Sequence, residues 1–213
     1  METSQNQQQS VTLRDLTRGN NNFCEDLCFG LTIATKSLSK ESDSVYGLVL
    51  SDSKGNILFK SYFGFDVPDT ALGYDRLNRI LINETGSLSD AVSELLHMLP
   101  KGAKLFSSHA NTWAKVIWQS MVDKLPTAHW DDTVSHLDIR CFAKAVSSNR
   151  IPSPETDIDT YCVYPVGSRV HLFEVASMFG IRDSITLPAP EAKAVAIGQL
   201  INALFNQDIK IPR

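Results

Sequence analysis

Ser44-Val-Tyr-Gly-Leu-Val-Leu50, then Asp52-Ser-Lys-Gly-Asn56, then Ile57-Leu-Phe-Lys-Ser-Tyr-Phe63 is the passage on which the fold turns. Two β-branched and aromatic runs flank a short polar segment whose Gly55 can adopt positive φ, so the passage predicts an antiparallel hairpin. Just upstream, Leu27 to Thr35 is again apolar and β-branched and reads as a strand, with Ser37 to Asp43 as the intervening turn. Three strands therefore lead the chain, and a loop containing Pro68 and Gly73 follows them.

Downstream the period changes from two to 3.6. Leu88, Ala91, Val92, Leu95, Leu96 and Leu99 fall on one helical face, with Ser87 and Asp90 as a capped start and Pro100 and Gly102 as the stop. Ala103 to Ser107 predicts a short strand, and a helix from about Asn111 to Leu125 follows, with Trp113, Val116, Ile117 and Met121 inward. A strand around Val134 and a helix from Leu137 to Val146 come next. Ser168 caps a helix that buries Leu172, Val175, Ala176 and Phe179, and Gly180-Ile181 is a left-handed C-terminal signal. Pro190 opens a last helix running to about Phe205. Three leading strands followed by helix–strand alternation predict an α/β fold, a mixed sheet with helices on both faces.

The totals agree with a folded domain. The chain has 213 residues, 43% of them hydrophobic and 21% charged, enough for one sizeable core. We expect residues 1–22, which begin Gln- and Asn-rich, to be a disordered tail with one helical turn near Thr12. Residues 23–213 then form a single domain. The net charge of −4 supplies no global attraction for nucleic acid, so binding of that kind needs a local basic patch. Cys24, Cys28, Cys141 and Cys162 match no zinc spacing and read as reduced thiols. Neither a signal peptide nor an apolar run long enough to span a bilayer appears, so the expected location is cytoplasmic, with no membrane partner.

Taken with local residues, this order of elements resembles the RNase H-like fold and, within it, the DEDD family of proofreading-type 3′–5′ exonucleases. The likeness covers about residues 27 to 205. Thr32-Ile-Ala-Thr-Lys-Ser-Leu38 occupies the place of the D-x-E-T-T-G-L strand end. Phe106 to Trp113 is similar to the A-H-N-x-x-F-D segment, and Asp138-Ile139 to a later D-T pair. Leu172 to Ile181 resembles L-x-x-L-x-x-x-F-G-I, and Ala189 to Leu204 falls where the family has H-R-A-L-x-D-A.

The resemblance implies two divalent ions held by four carboxylates, with a histidine as general base. Two such dications about 4 Å apart repel by roughly 17 kcal/mol at an effective dielectric of 20, so anionic ligands are indispensable. At the matching positions this chain has Thr32, Ala34, Ala114 and Lys193, with Pro188 or a neighbour at the histidine position. The resemblance therefore implies a catalytically inactive exonuclease-like module with no cofactor, binding a protein partner or a single-stranded nucleic-acid end. His109 and Asn111, with Trp113, are the candidate binding residues, set where a strand passes into a helix.

Two other readings stay open. His129, Asp131, Asp132 and His136 form the densest group of potential metal ligands, at a spacing that matches no known motif. An active nuclease could draw relocated ligands from Asp131, Asp132, Asp138, Glu25 or Asp26. Alternatively the chain is a structural or regulatory protein that never touches nucleic acid. No nucleophile elbow and no glycine-rich phosphate loop is present.

Overall fold

The computed structural model describes residues 10–19, 23–36, 44–108, 135–147 and 171–210. The hairpin forms as expected, β3 over Val45–Ser51 and β4 over Ile57–Tyr62. Its turn closes on Asp52, whose Oδ1 accepts the Lys54 and Asn56 N–H groups at 2.8 Å each, with Gly55 at φ +87°. β2 (Cys28–Thr35) pairs antiparallel with β3 and parallel with β5 (Lys104–Ser107), and β5 is parallel to β6 (Ser135–Asp138). The described sheet thus has five strands in the order β4-β3-β2-β5-β6.

The helical turn expected near Thr12 is present, and residues 10–19 are otherwise more ordered than a tail. Ser10–Thr12 (β1) pairs antiparallel with Asp208–Lys210 (β7) in a separate two-stranded sheet, and Leu13–Thr17 forms helix α1. The polar composition concealed one anchor: Leu13 is fully buried in a cluster with Phe23, Phe142 and Phe205. Arg14 adds an ion pair to Glu25 at 2.5 Å and a hydrogen bond to Asn202. Such contacts offset the ordering entropy that a Gln- and Asn-rich leader could not offset by itself.

Strand alternation sorts β2 between two layers. Phe29, Leu31 and Ile33 face a cluster completed by Leu48, Leu50, Phe59, Leu105 and helix α3 (Leu88–Met98). Ser87 caps α3, its Oγ accepting the Asp90 N–H, and Ala91, Val92 and Leu95 are buried as the periodicity predicts. The opposite face takes α4 (Ile139–Ser147), α5 (Leu172–Ser177) and the long α6 (Ala189–Phe205), the helix expected after Pro190. Helices therefore cover both faces.

Two local expectations shift. Helix α2 (Asp69–Tyr74) stands where only a loop with Pro68 and Gly73 was expected, because six residues are too few to show a helical period. The start of α5 is His171, whose N–H reaches Glu174 Oε2 at 2.9 Å, while Ser168 lies outside the described residues. The end of α5 follows expectation, with Gly180 at φ +76° and the Ile181 N–H on the Ala176 carbonyl at 3.0 Å.

Candidate functional site

The site is the crossing of α6 over β2 and β3. Gly30 permits the approach: a Cβ there would stand 2.9 Å from the Ala194 carbonyl oxygen. Ser51 Oγ donates to that same carbonyl at 2.6 Å, fixing the helix against β3. By the two-residue period Thr32 and Ala34 lie on this face. Ala34 is buried in a cluster with Tyr46, Val49, Tyr62 and Ala194, so the C-terminal part of the first long strand meets the first half of the last helix.

A β-bulge shapes one wall. Ala34 pairs with Gly47 and Thr35 with Val45, leaving Tyr46 as the extra residue. Val45 faces the α3 layer while Tyr46 turns to the α6 side, as a bulge allows. Its hydroxyl donates to Asp75 Oδ2, and both residues are buried. Asp75 ends α2, and its carbonyl accepts the Ala189 N–H at 2.7 Å, so it also receives the start of α6. Pro188, which with its neighbours the resemblance sets at the histidine position, is the N-cap of α6 and carries no acid–base group.

Burial raises the Asp75 carboxyl above its usual range, opposed by the Tyr46 hydrogen bond and the positive charges of Lys193 and Arg76. Burial likewise raises the Tyr46 phenol, helped by its bond to Asp75. Tyr62 is raised by burial and then by the negative charge of Glu191. Glu191 is only 4% exposed in the first turn of α6. Lys60 Nζ stands 3.3 and 3.4 Å from its two oxygens, and the Tyr62 hydroxyl lies 3.4 Å from Oε1. Two residues on, the Lys193 ammonium lies 5.6 Å from the ring centroid of Tyr74.

These donors do not fit a pair of divalent ions. Thr32 offers one neutral oxygen, which is buried without a hydrogen-bond partner among the described residues. Ala34 offers a methyl group and Lys193 a cation, while Asp75 and Glu191 are engaged by Tyr46 and Lys60. Among the described residues no group of three or more His, Cys, Asp or Glu could hold a metal ion.

The remaining candidates divide. His109, Asn111, Trp113, Ala114, His129, Asp131 and Asp132 lie outside the described residues. His136 pairs with Leu105 in the β5–β6 ladder. Asp138 caps α4 by accepting the Arg140 N–H at 2.9 Å, and it pairs with the Arg140 guanidinium at 2.7 Å. Glu25 pairs with Arg14. Sequence reading missed Tyr46, Lys60, Tyr62, Asp75 and Glu191. One signal was available: Glu191 shares a helical face with Ala194, Gly198 and Ile201, at i, i+3, i+7 and i+10, where a lone acid needs a partner.

No protein-family model matches the sequence, and no curated protein matches it either. The fold does match solved structures of exonuclease I. A product-bound exonuclease I has a TM-score of 0.53 at 14% identity over 83% of this chain and 43% of that one. E. coli exonuclease I in complex with a dA16 oligonucleotide also gives 0.53 at 14%, over 83% and 41%. An ExoI/SSB-Ct complex gives 0.53 at 13%, over the same shares. The chain thus has the exonuclease-type, RNase H-like fold, and it spans about two fifths of the length of these exonucleases.

Proposed function

We propose that this chain is a catalytically inactive exonuclease-like module that binds a protein partner or a nucleic-acid end through the surface around the α6–β2 crossing. The observation that carries the reading is Ala34, a methyl group packed against Ala194 and 3% exposed, at the place the resemblance gives to a carboxylate. A methyl, a hydroxyl and an ammonium cannot balance the mutual repulsion of two dications. What the chain's residues do here is structural: Ser51 and Asp75 hold α6, and Tyr46 and Lys60 satisfy the carboxylates beneath it.

Pure protein incubated with single-stranded DNA and RNA in Mg2+ or Mn2+ is expected to leave both intact. Degradation that a chelator abolishes would overturn the reading. Titration with labelled oligonucleotides at two salt concentrations then separates the two kinds of partner, because phosphate contacts weaken steeply with salt. Salt-sensitive binding favours a nucleic-acid end, whereas negligible binding at low salt favours a structural or regulatory role without nucleic-acid contact.

A further inference from the structure

Two carboxylates are buried at the foot of α6, and each has a cation near it. Asp75, 5% exposed, is reached by the Tyr46 hydroxyl from β3. The ammonium of Lys193 rests against the ring of Tyr74, the residue preceding Asp75. Arg76, on the other side, is drawn to Asp183 at 3.5 Å. Glu191 faces Lys60 and Tyr62 from β4. A carboxylate so nearly removed from water is tolerated only when hydrogen bonds and an opposite charge replace its hydration. Tyr46 gives Asp75 the hydrogen bond. Of the two cations whose charge reaches Asp75, Arg76 is held by Asp183, whereas Lys193, over the ring of Tyr74, makes no ion pair of 4 Å or less among the described residues.

We propose that Lys193 is the counter-charge of buried Asp75, and that this pair together with Lys60–Glu191 fastens the last helix to α2 and the sheet. The site is then held by charges internal to the chain and needs no divalent metal for its integrity. A lysine here is not simply a lost carboxylate, because an acid at 193 would stand beside a second, buried acid. Independence from metal rests on the proposed function; the coupling of Lys193 to Asp75 does not, so the two can fail separately.

The test is a thermal-unfolding cycle of wild type, K193M, D75N and D75N/K193M, each with chelator and with Mg2+. Methionine keeps the length and apolar stem of lysine and removes its charge. K193M is expected to lower Tm by about 3–6 °C in the wild-type background and by less than half as much in D75N. Equal losses in both backgrounds would overturn the pairing. K193D is expected to lose more than K193M and to recover when Asp75 is also replaced by Asn. Should K193D not fold, the methionine cycle decides. Metal is expected to leave the wild-type Tm unmoved, and a rise with Mg2+ that chelator reverses would overturn metal independence.

Discussion

Gly198→Ala is the sharpest perturbation of the helix that builds the site. In an isolated helix the change is favourable by about 1 kcal/mol, because alanine has the higher helix propensity. Here the added Cβ would stand 2.2 Å from the Asp52 carbonyl oxygen, 2.7 Å from the Gly55 nitrogen and 2.8 Å from the Gly55 Cα. All three are backbone atoms of the hairpin turn. That turn is tied by the Asp52 N–H to the Asn56 carbonyl at 2.9 Å and by the Gly55 N–H to the Asp52 carbonyl at 3.1 Å. It cannot rotate aside as a flexible side chain would. Overpacking costs about 1–3 kcal/mol, and a clash with fixed backbone belongs at the upper end. After the propensity gain, a net loss of about 2 kcal/mol remains, or a fall in Tm of roughly 4–8 °C for a chain of this size. Gly73→Ala is the control, since α2 is helical there and the added Cβ meets nothing within 4 Å. It is expected to gain about 0.5–1 kcal/mol. Thermal and urea unfolding of both variants measure the difference. A G198A protein as stable as the wild type would refute the close approach of α6 to the hairpin, and with it the placement of Lys193 and Ala194.

Leu13→Ala removes a fully buried side chain from the segment expected to be a tail, and urea unfolding should report a loss of about 2–5 kcal/mol. A loss below about 0.5 kcal/mol would return that segment to the tail. Asp75 has its folded pKa raised above the usual 3.8, so its proton stabilises the fold at low pH and that contribution fades as pH rises through the raised value. The stability of D75N relative to wild type should therefore climb from pH 4 upward, and a pH-independent difference would contradict this. Tyr46→Phe takes away the donor to Asp75 and should cost about 1–3 kcal/mol in denaturant unfolding at neutral pH, with the loss shrinking in a D75N background. Arg76 adopts φ +55° at the end of α2, with the Leu77 N–H on the Leu72 carbonyl at 2.8 Å, a helix ending that favours glycine. Arg76→Gly relieves a left-handed strain of about 1–2 kcal/mol and sacrifices a half-exposed ion pair worth under about 1 kcal/mol, so a small rise in Tm is expected.

Local pattern and tertiary contact divided the determination of this protein between them. The hairpin, the capped α3, the Gly180 terminus of α5 and the extent of α6 were legible because each is specified within a few neighbouring residues: a period, a turn glycine, a cap, a proline. These sufficed to imply the mixed sheet with helices on both faces. The order of elements carried the likeness to exonucleases even at 13–14% identity. Long-range contacts decided the rest. Leu13 belongs to the core because Phe142 and Phe205, far along the chain, enclose it, and β1 is paired because β7 returns beside it. Tyr46 meets Asp75, and Lys60 meets Glu191, only because a bulge turns one side chain and a glycine-permitted crossing brings α6 onto the sheet. A buried charge is tolerated or ruinous according to what stands opposite it, and partners 29 and 131 residues apart leave no signal in a local window.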